Sequence, residues 1–307
     1  MSRQMAFGAM ALCMLTAGAP AMAAPARETV RADGSVISWS LDRRGGAGPQ
    51  GILLLAQGSG CASVSENPNV ERAKALLPAF AVVTVEKYGV KPHDAPADPT
   101  GDCSASFYQH HTVSQRAADY EQVLAIARQE RWWNGELILF GGSEGGAAIA
   151  MAAARVKPTA VVVLSTALGQ TFRESFALSV PPEVAAMAEV EFAKIKAEPD
   201  SSKQWGGNSY RWWADVLDHD YLADLLTVEA PILLVQGETD QSGAAKVARA
   251  AYERYRQARR CNLTYWEFAG YDHQMLDAAG TSHIDEVMGR ASGWLGRQLI
   301  KPDQVGC

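Results

Sequence analysis

The chain lacks most of the features that mark specialised protein classes. Beyond the N-terminus no apolar run is long enough to span a bilayer, which excludes a membrane-spanning helix from the body of the sequence. Positive charge is not in excess: 28 lysines and arginines face 34 aspartates and glutamates, for a formal net charge of −6. That balance gives no electrostatic footprint for nucleic acid and no general attraction to an anionic surface. Cysteine is scarce, five in 307 residues, and no two show the C-x-x-C spacing of a zinc ribbon or a redox pair. There is no internal repeat and no low-complexity tract. What is present is an ordinary globular composition, 48% hydrophobic, 20% charged and 8% aromatic, with enough chain for a substantial core.

Residues 1–23 read as a secretory signal. Arg3 supplies the positive start, Ala6 to Ala17 a short apolar run, and Ala21-Met22-Ala23 a small-x-small cleavage site before Ala24-Pro25. Leu12 is bulky where a lipidation signal at Cys13 calls for a small residue. The expected location is therefore secreted or periplasmic. Four cysteines then remain, Cys61, Cys103, Cys261 and Cys307, and an even number in an exported chain predicts two disulfides. Cys61–Cys103 and Cys261–Cys307 are the expected pairs among three possible pairings. Each ties a loop to a nearby loop or terminus.

Residues 24–307 alternate short apolar runs with amphipathic stretches. The runs Ile52–Ala56, Ala81–Val85, Leu137–Phe140, Ala160–Leu164, Ile232–Val235 and Leu263–Phe268 predict buried strands. Glu28–Arg31 and Ser35–Ser40 flank Asp33-Gly34 as a hairpin. Ser114–Arg128, Ala244–Arg259 and Ile284–Leu299 carry apolar residues at helical spacing. Such alternation predicts an α/β fold with a mostly parallel sheet covered on both faces. Residues 169–221 break the rhythm. They open on Pro181-Pro182, continue in a helix with Val184, Ala188, Phe192 and Ile195 on one side, and end in an aromatic group. A connection of that length predicts a cap over one end of the sheet.

Chemistry is expected at three strand ends. Leu137–Phe140 runs into Gly141-Gly142-Ser143-Glu144-Gly145-Gly146 and then into an alanine-rich helix. Strand, G-x-S-x-G, helix is the setting of a nucleophile elbow, where side chains at Gly141 and Gly145 would collide with neighbouring backbone. A phosphate-binding loop is a poorer match, because the Lys-Ser/Thr of a P-loop and the spacing of a dinucleotide fingerprint are both missing. A serine hydroxyl needs a base, and the base an orienting acid. Asp240 lies just past the Ile232–Val235 run and His273 just past Leu263–Phe268, in the order Ser, Asp, His. Glu238 and Asp272 are rival acids, with Asp272 expected to point elsewhere because it adjoins His273. The oxyanion donors are expected from the amide of Glu144 and from that of Ser59 or Gly60 in Gln57-Gly58-Ser59-Gly60-Cys61.

These motifs resemble those of the α/β-hydrolase superfamily, in its esterase, lipase and prolyl-oligopeptidase-like branches, over nearly all of residues 51–299. Gly141 to Gly146, the L-L-V-Q-G-E-T-D around Asp240 and the G-Y-D-H ending at His273 carry the likeness. Glu86-Lys87-Tyr88-Gly89-Val90 is similar to a D-K-R-G-x-G stretch of some secreted members. Gln57 departs from the histidine that many members place before the glycine. The resemblance implies an eight-stranded, mostly parallel sheet with a helical cap. It also implies hydrolysis of an ester, thioester or amide of a small acyl substrate without metal or organic cofactor. A carboxylic-ester hydrolase is the leading reading. A peptidase or amidase, and a catalytically silent binding module, are the alternatives.

Weaker expectations concern other side chains. Trp205, Tyr210, Trp212 and Trp213 are candidates to line a substrate pocket, with simple packing as the rival role. The adjacent His110-His111 cannot readily chelate one ion. Arg116 is a candidate binder of a substrate carboxylate, with a solvated helix start as the commoner role for such a residue. Asn262-Leu263-Thr264 matches a glycosylation acceptor.

Overall fold

Runs of leucine and β-branched residues become strands buried on both faces, which is how a parallel sheet reads in sequence. In the computed structural model, residues 25–166, 168–169 and 171–300 are described. The expected signal segment and the Cys261–Cys307 pairing lie outside the described residues. The strands in chain order are β1 Ala26–Val30, β2 Val36–Asp42, β3 Gln50–Ala56, β4 Ala81–Val85, β5 Trp133–Gly142, β6 Ala160–Leu164, β7 Gln204–Trp205, β8 Asn208–Ser209, β9 Ile232–Gly237 and β10 Leu263–Phe268. Eight of them form one sheet in the order β1-β2-β4-β3-β5-β6-β9-β10, and β7 and β8 pair separately. The β1/β2 and β2/β4 pairs are antiparallel, and every other pair in the large sheet is parallel. All seven residues of β3 are buried. Its Ile52 and Leu54 enter one core while Leu53 and Leu55 enter the other, as the two-residue period of a strand requires.

Helices cover both faces. The side reached by Leu54 holds α3 Val113–Ala127, α4 Glu144–Val156, α8 Tyr221–Leu226 and α9 Ala245–Gln257. The side reached by Leu53 holds α1 Pro68–Ala73 and α10 Ile284–Ile300. Of the apolar residues expected on the inner faces, Ala117, Val123 and Leu124 in α3 and Ile284, Val287, Met288, Ala291 and Leu295 in α10 are buried, while Ile126 and Leu299 are half-buried. Among the described residues no helix is long and apolar enough to cross a membrane.

The long connection between β6 and β9 folds into α5 Phe172–Ser179, α6 Pro182–Ala197, the β7-β8 pair, α7 Tyr210–Val216 and α8. In α6, Ala188, Phe192 and Ile195 face inward as expected. Val184, expected on the same face, is exposed, because only the later turns of α6 are buried. The inner face is a nest of rings. Trp205 and Trp213 lie 4.9 Å apart, Trp212 and Trp213 meet edge-on at 5.0 Å, and Phe172 packs edge-on against both Trp212 and Trp213.

Polar side chains fix two corners. Cys61 and Cys103 form a disulfide that ties the loop after β3 to the segment before α2 Ala105–His110. At the foot of β10 the Asn262 amide Nδ2 donates to Val228 O at 2.8 Å and to Ala230 O at 2.6 Å, holding the segment that enters β9.

Candidate active site

The turn from β5 into α4 forces Ser143 to φ 53°, ψ −128°. A non-glycine residue in that region is strained, and strain of this kind persists only where surrounding structure over-determines it. The surroundings do so. A Cβ on Gly141 would strike Gly145 O, and a Cβ on Gly145 would strike Ala56 O and Gln57 O. The turn is further held by Ser143 N donating to Leu164 O at 2.9 Å and Thr166 Oγ1 donating to Ser143 O at 2.8 Å.

The ends of β9 and β10 bring Asp240 and His273 to this turn. His273 Nε2 lies 3.1 Å from Ser143 Oγ, and His273 Nδ1 lies 2.8 Å from Asp240 Oδ2. Asp240 is buried, and its carboxylate is fully engaged. Oδ1 accepts from the amides of Ser242 and Gly243, each at 2.8 Å, and Oδ2 accepts from Gln236 Nε2 at 2.6 Å. One oxygen therefore caps the following turn while the other faces the imidazole. The rival acids are occupied elsewhere. Glu238 Oε2 accepts from Gly270 N at 2.9 Å, and Asp272 Oδ1 accepts from the amides of Gln274 and Leu276. A hydroxyl bonded to an imidazole that a carboxylate orients can lose its proton as it attacks a carbonyl. Gln236 is a partner that sequence reasoning missed. Its signal in the sequence was a polar residue directly after an apolar run, four positions before Asp240.

Beneath the loop after β3 lies a cluster of buried charges. Glu144, the residue after Ser143, turns its carboxylate inward. Its Oε1 accepts from Arg116 Nη1 at 2.7 Å and His111 Nε2 at 3.2 Å, and Lys87 Nζ lies 3.8 Å away. Arg116 is thus buried against Glu144, Gln57 O and Tyr120, which corrects the expectation of a solvated helix start. Burial lowers Lys87 to about 7, against the pull of Glu144. Burial likewise lowers His111 to about 4, so its imidazole is neutral at neutral pH. Burial opposes ionisation of Glu144 too, yet Lys87, His111 and Arg116 together hold its carboxyl well below the usual range. Next to Lys87, Glu86 accepts from Ser63 Oγ and Val64 N, while burial raises its carboxyl. Among the described residues no group of three or more His, Cys, Asp or Glu is placed to hold a metal ion, and His110-His111 belong to no such group.

Two cavities meet at Ser143 and His273. One, of about 350 Å³, is walled by Ala147, Leu168, Phe172, Phe176, Trp212, Val216, Tyr221 and Val247. The other, of about 310 Å³, is walled more by polar groups, including Gln57, Asn67, Asn69 and Gln274. Ser59 borders both, whereas Gly60 borders neither and gives its carbonyl to Lys87. Of the four aromatic candidates, Trp212 lines the apolar cavity. Trp205, Tyr210 and Trp213 pack within the connection instead: Trp213 Nε1 donates to Trp205 O, and Tyr210 OH bonds Glu191. Phe172, Phe176 and Tyr221, which sequence reasoning did not single out, stand where it expected Trp205, Tyr210 and Trp213.

The sheet order, the strained turn at the end of β5 and the helices on both faces are those of the α/β-hydrolase fold. Among solved structures, Est1E from Butyrivibrio proteoclasticus with ferulic acid bound is similar at a TM-score of 0.64 and 18% identity, over 89% of this chain and 99% of that one. The Pyrococcus furiosus esterase Pf2001 is similar at 0.57 and 13% identity, over 89% of this chain and 90% of that one. A puromycin hydrolase is similar at 0.60 and 14% identity, over 90% of this chain and 39% of that one. No family model and no curated protein sequence matches the chain.

Proposed function

We propose that the chain is an exported serine hydrolase that cleaves a carboxylic ester, or thioester, of a small acyl substrate. The observation that carries this reading is the unbroken hydrogen-bond series from Ser143 Oγ through His273 to Asp240, set on a strained turn beside an apolar cavity. Ser143 attacks the substrate carbonyl while His273 Nε2 takes its proton. Asp240 keeps the other imidazole nitrogen protonated and stabilises the imidazolium. The amides of Ser59 and Glu144 donate to no group among the described residues and are free to hold the tetrahedral oxyanion. His273 then protonates the leaving alcohol, and water attacks the acyl-enzyme by the reverse path. The likeness to Pf2001 and Est1E supports ester chemistry. The Cys61–Cys103 disulfide supports export, since such bonds persist in oxidising compartments.

The test is turnover of a panel of acyl esters of increasing chain length and X-Pro amides by the mature protein, with Ser143→Ala alongside. Ester turnover that Ser143→Ala abolishes, with phosphonate labelling of Ser143 in the wild type, is the expected result. Activity surviving Ser143→Ala overturns the nucleophile. The likeness to a puromycin hydrolase favours a second reading as an amidase, which selective amide turnover would support.

A further inference from the structure

Lys87, His111 and Arg116 are buried, line neither cavity beside Ser143 and have no part in the steps above. Two of them nevertheless grip the backbone of one loop. Arg116 Nη2 donates to Gln57 O at 2.7 Å, and Lys87 Nζ donates to Gly58 O at 2.6 Å and also to Gly60 O. In a trans peptide the carbonyl of one residue and the amide of the next point to opposite sides of the chain, and no described peptide bond is cis. A cation on Gly58 O therefore fixes the Ser59 N–H on the far side. Arg116 on Gln57 O does the same for the Gly58 N–H. Both amides donate to nothing else among the described residues. They also flank the serine: Ser59 borders both cavities, and a Cβ on Gly58 would lie 3.5 Å from Ser143 Cβ.

Resting on the ester-hydrolase reading, we propose that Lys87 and Arg116 are positioning residues that clamp the carbonyl side of residues 57–60 and so keep its amides aimed at the oxygen that Ser143 charges. A loop with glycines at 58 and 60 has little conformational preference of its own. Oxyanion donors are effective only when they need no reorganisation during the reaction. Hydrogen bonds to a carbonyl also polarise its peptide and strengthen the attached N–H as a donor. Glu144 joins the two halves of the device. Its amide is one proposed donor, and its carboxylate anchors the cations that orient the other.

Lys87→Met removes the contacts to Gly58 O and Gly60 O while keeping the length of the stem. Expected is a fall in kcat for a short-chain aryl ester of about 10- to 100-fold, less than the loss of a whole oxyanion donor. KM should stay within about twofold, and affinity for an alkyl boronic acid that mimics the tetrahedral adduct should fall with kcat/KM. Because removing one buried partner of Glu144 can prevent folding, Lys87→Met/Glu144→Gln is made as well; it removes the carboxylate together with the amine. The clamp predicts that the double variant stays slow. A charge-balancing role alone predicts activity near wild type in the double variant and overturns the clamp. Unchanged kcat in either folded variant, or a loss that follows only the folded fraction by circular dichroism, also overturns it. A wild type that cleaves no ester overturns both readings. A wild type matched in kcat by Lys87→Met overturns the clamp alone.

Discussion

Ser143 is held in a conformation that costs about 1–3 kcal/mol, so the residues around it have little freedom to change. Gly141 and Gly145 are required by different neighbours, whereas the adjacent Gly142 is required by none. The nearest atom to a Cβ on Gly142 is Leu164 O at 3.7 Å, an ordinary contact. A Cβ on Gly145 meets backbone oxygens of β3 and the loop after it, which cannot swing aside. Gly145→Ala is therefore expected to lose about 1–3 kcal/mol in urea unfolding, whereas Gly142→Ala stays within about 0.5 kcal/mol of wild type. At this scale the meeting of Ser143, Asp240 and His273 was legible, because each follows the end of an apolar strand run. Lys87 and Arg116 were not. A buried cation is recognised by its partners, and Arg116 finds Gln57 and Glu144 at sequence separations of 59 and 28 residues.

The six apolar runs were legible as elements because parallel strands are buried on both faces, and four of them begin where the structure begins them. The exceptions are β3, which starts at Gln50, and β5, which starts at Trp133, where Gln50 and Trp133 extend the pairing beyond the apolar residues. Short helices such as α2 and α8 went unread. Six residues carry too little periodicity, and their capping by Ser104 and Asp220 is a local cue shared with turns. The connection between β6 and β9 was legible by length, but its inward side chains were not, since a ring packed on another ring and a ring walling a cavity look alike in sequence. Phe176 belongs to the second kind, on α5, and it also touches Phe192 edge-on. Phe176→Ala should open the apolar cavity toward α6 and move the preferred acyl chain to greater length. The chain-length profile of kcat/KM checks this, and an unshifted optimum would place the acyl group in the other cavity.

For the molecule as a whole, the buried cluster makes stability sensitive to acid. His111 is lowered by burial to about 4, while in the unfolded chain it titrates near 6.5. Between those values the unfolded state binds the extra proton, so stability rises with pH across that window and falls on acidification through it. The difference corresponds to about 3 kcal/mol between pH 7 and pH 4. Glu144 acts in the same direction: its carboxyl is held low in the fold, and the stability it contributes is lost only as pH drops below the ordinary carboxylate range. Urea unfolding at a series of pH values should show a steeper acid-side loss in wild type than in His111→Gln, which retains a donor for Glu144 but does not titrate. The corner at Asn262 bears on how such protein is made. Its side-chain nitrogen uses both hydrogens, one for Val228 O and one for Ala230 O, and a glycan would leave it one. In a host that attaches sugars to secreted chains before they fold, closure of β9 against β10 would compete with modification, and yield would depend on which came first. A bacterial secretory host, or Thr264→Ala, removes that competition.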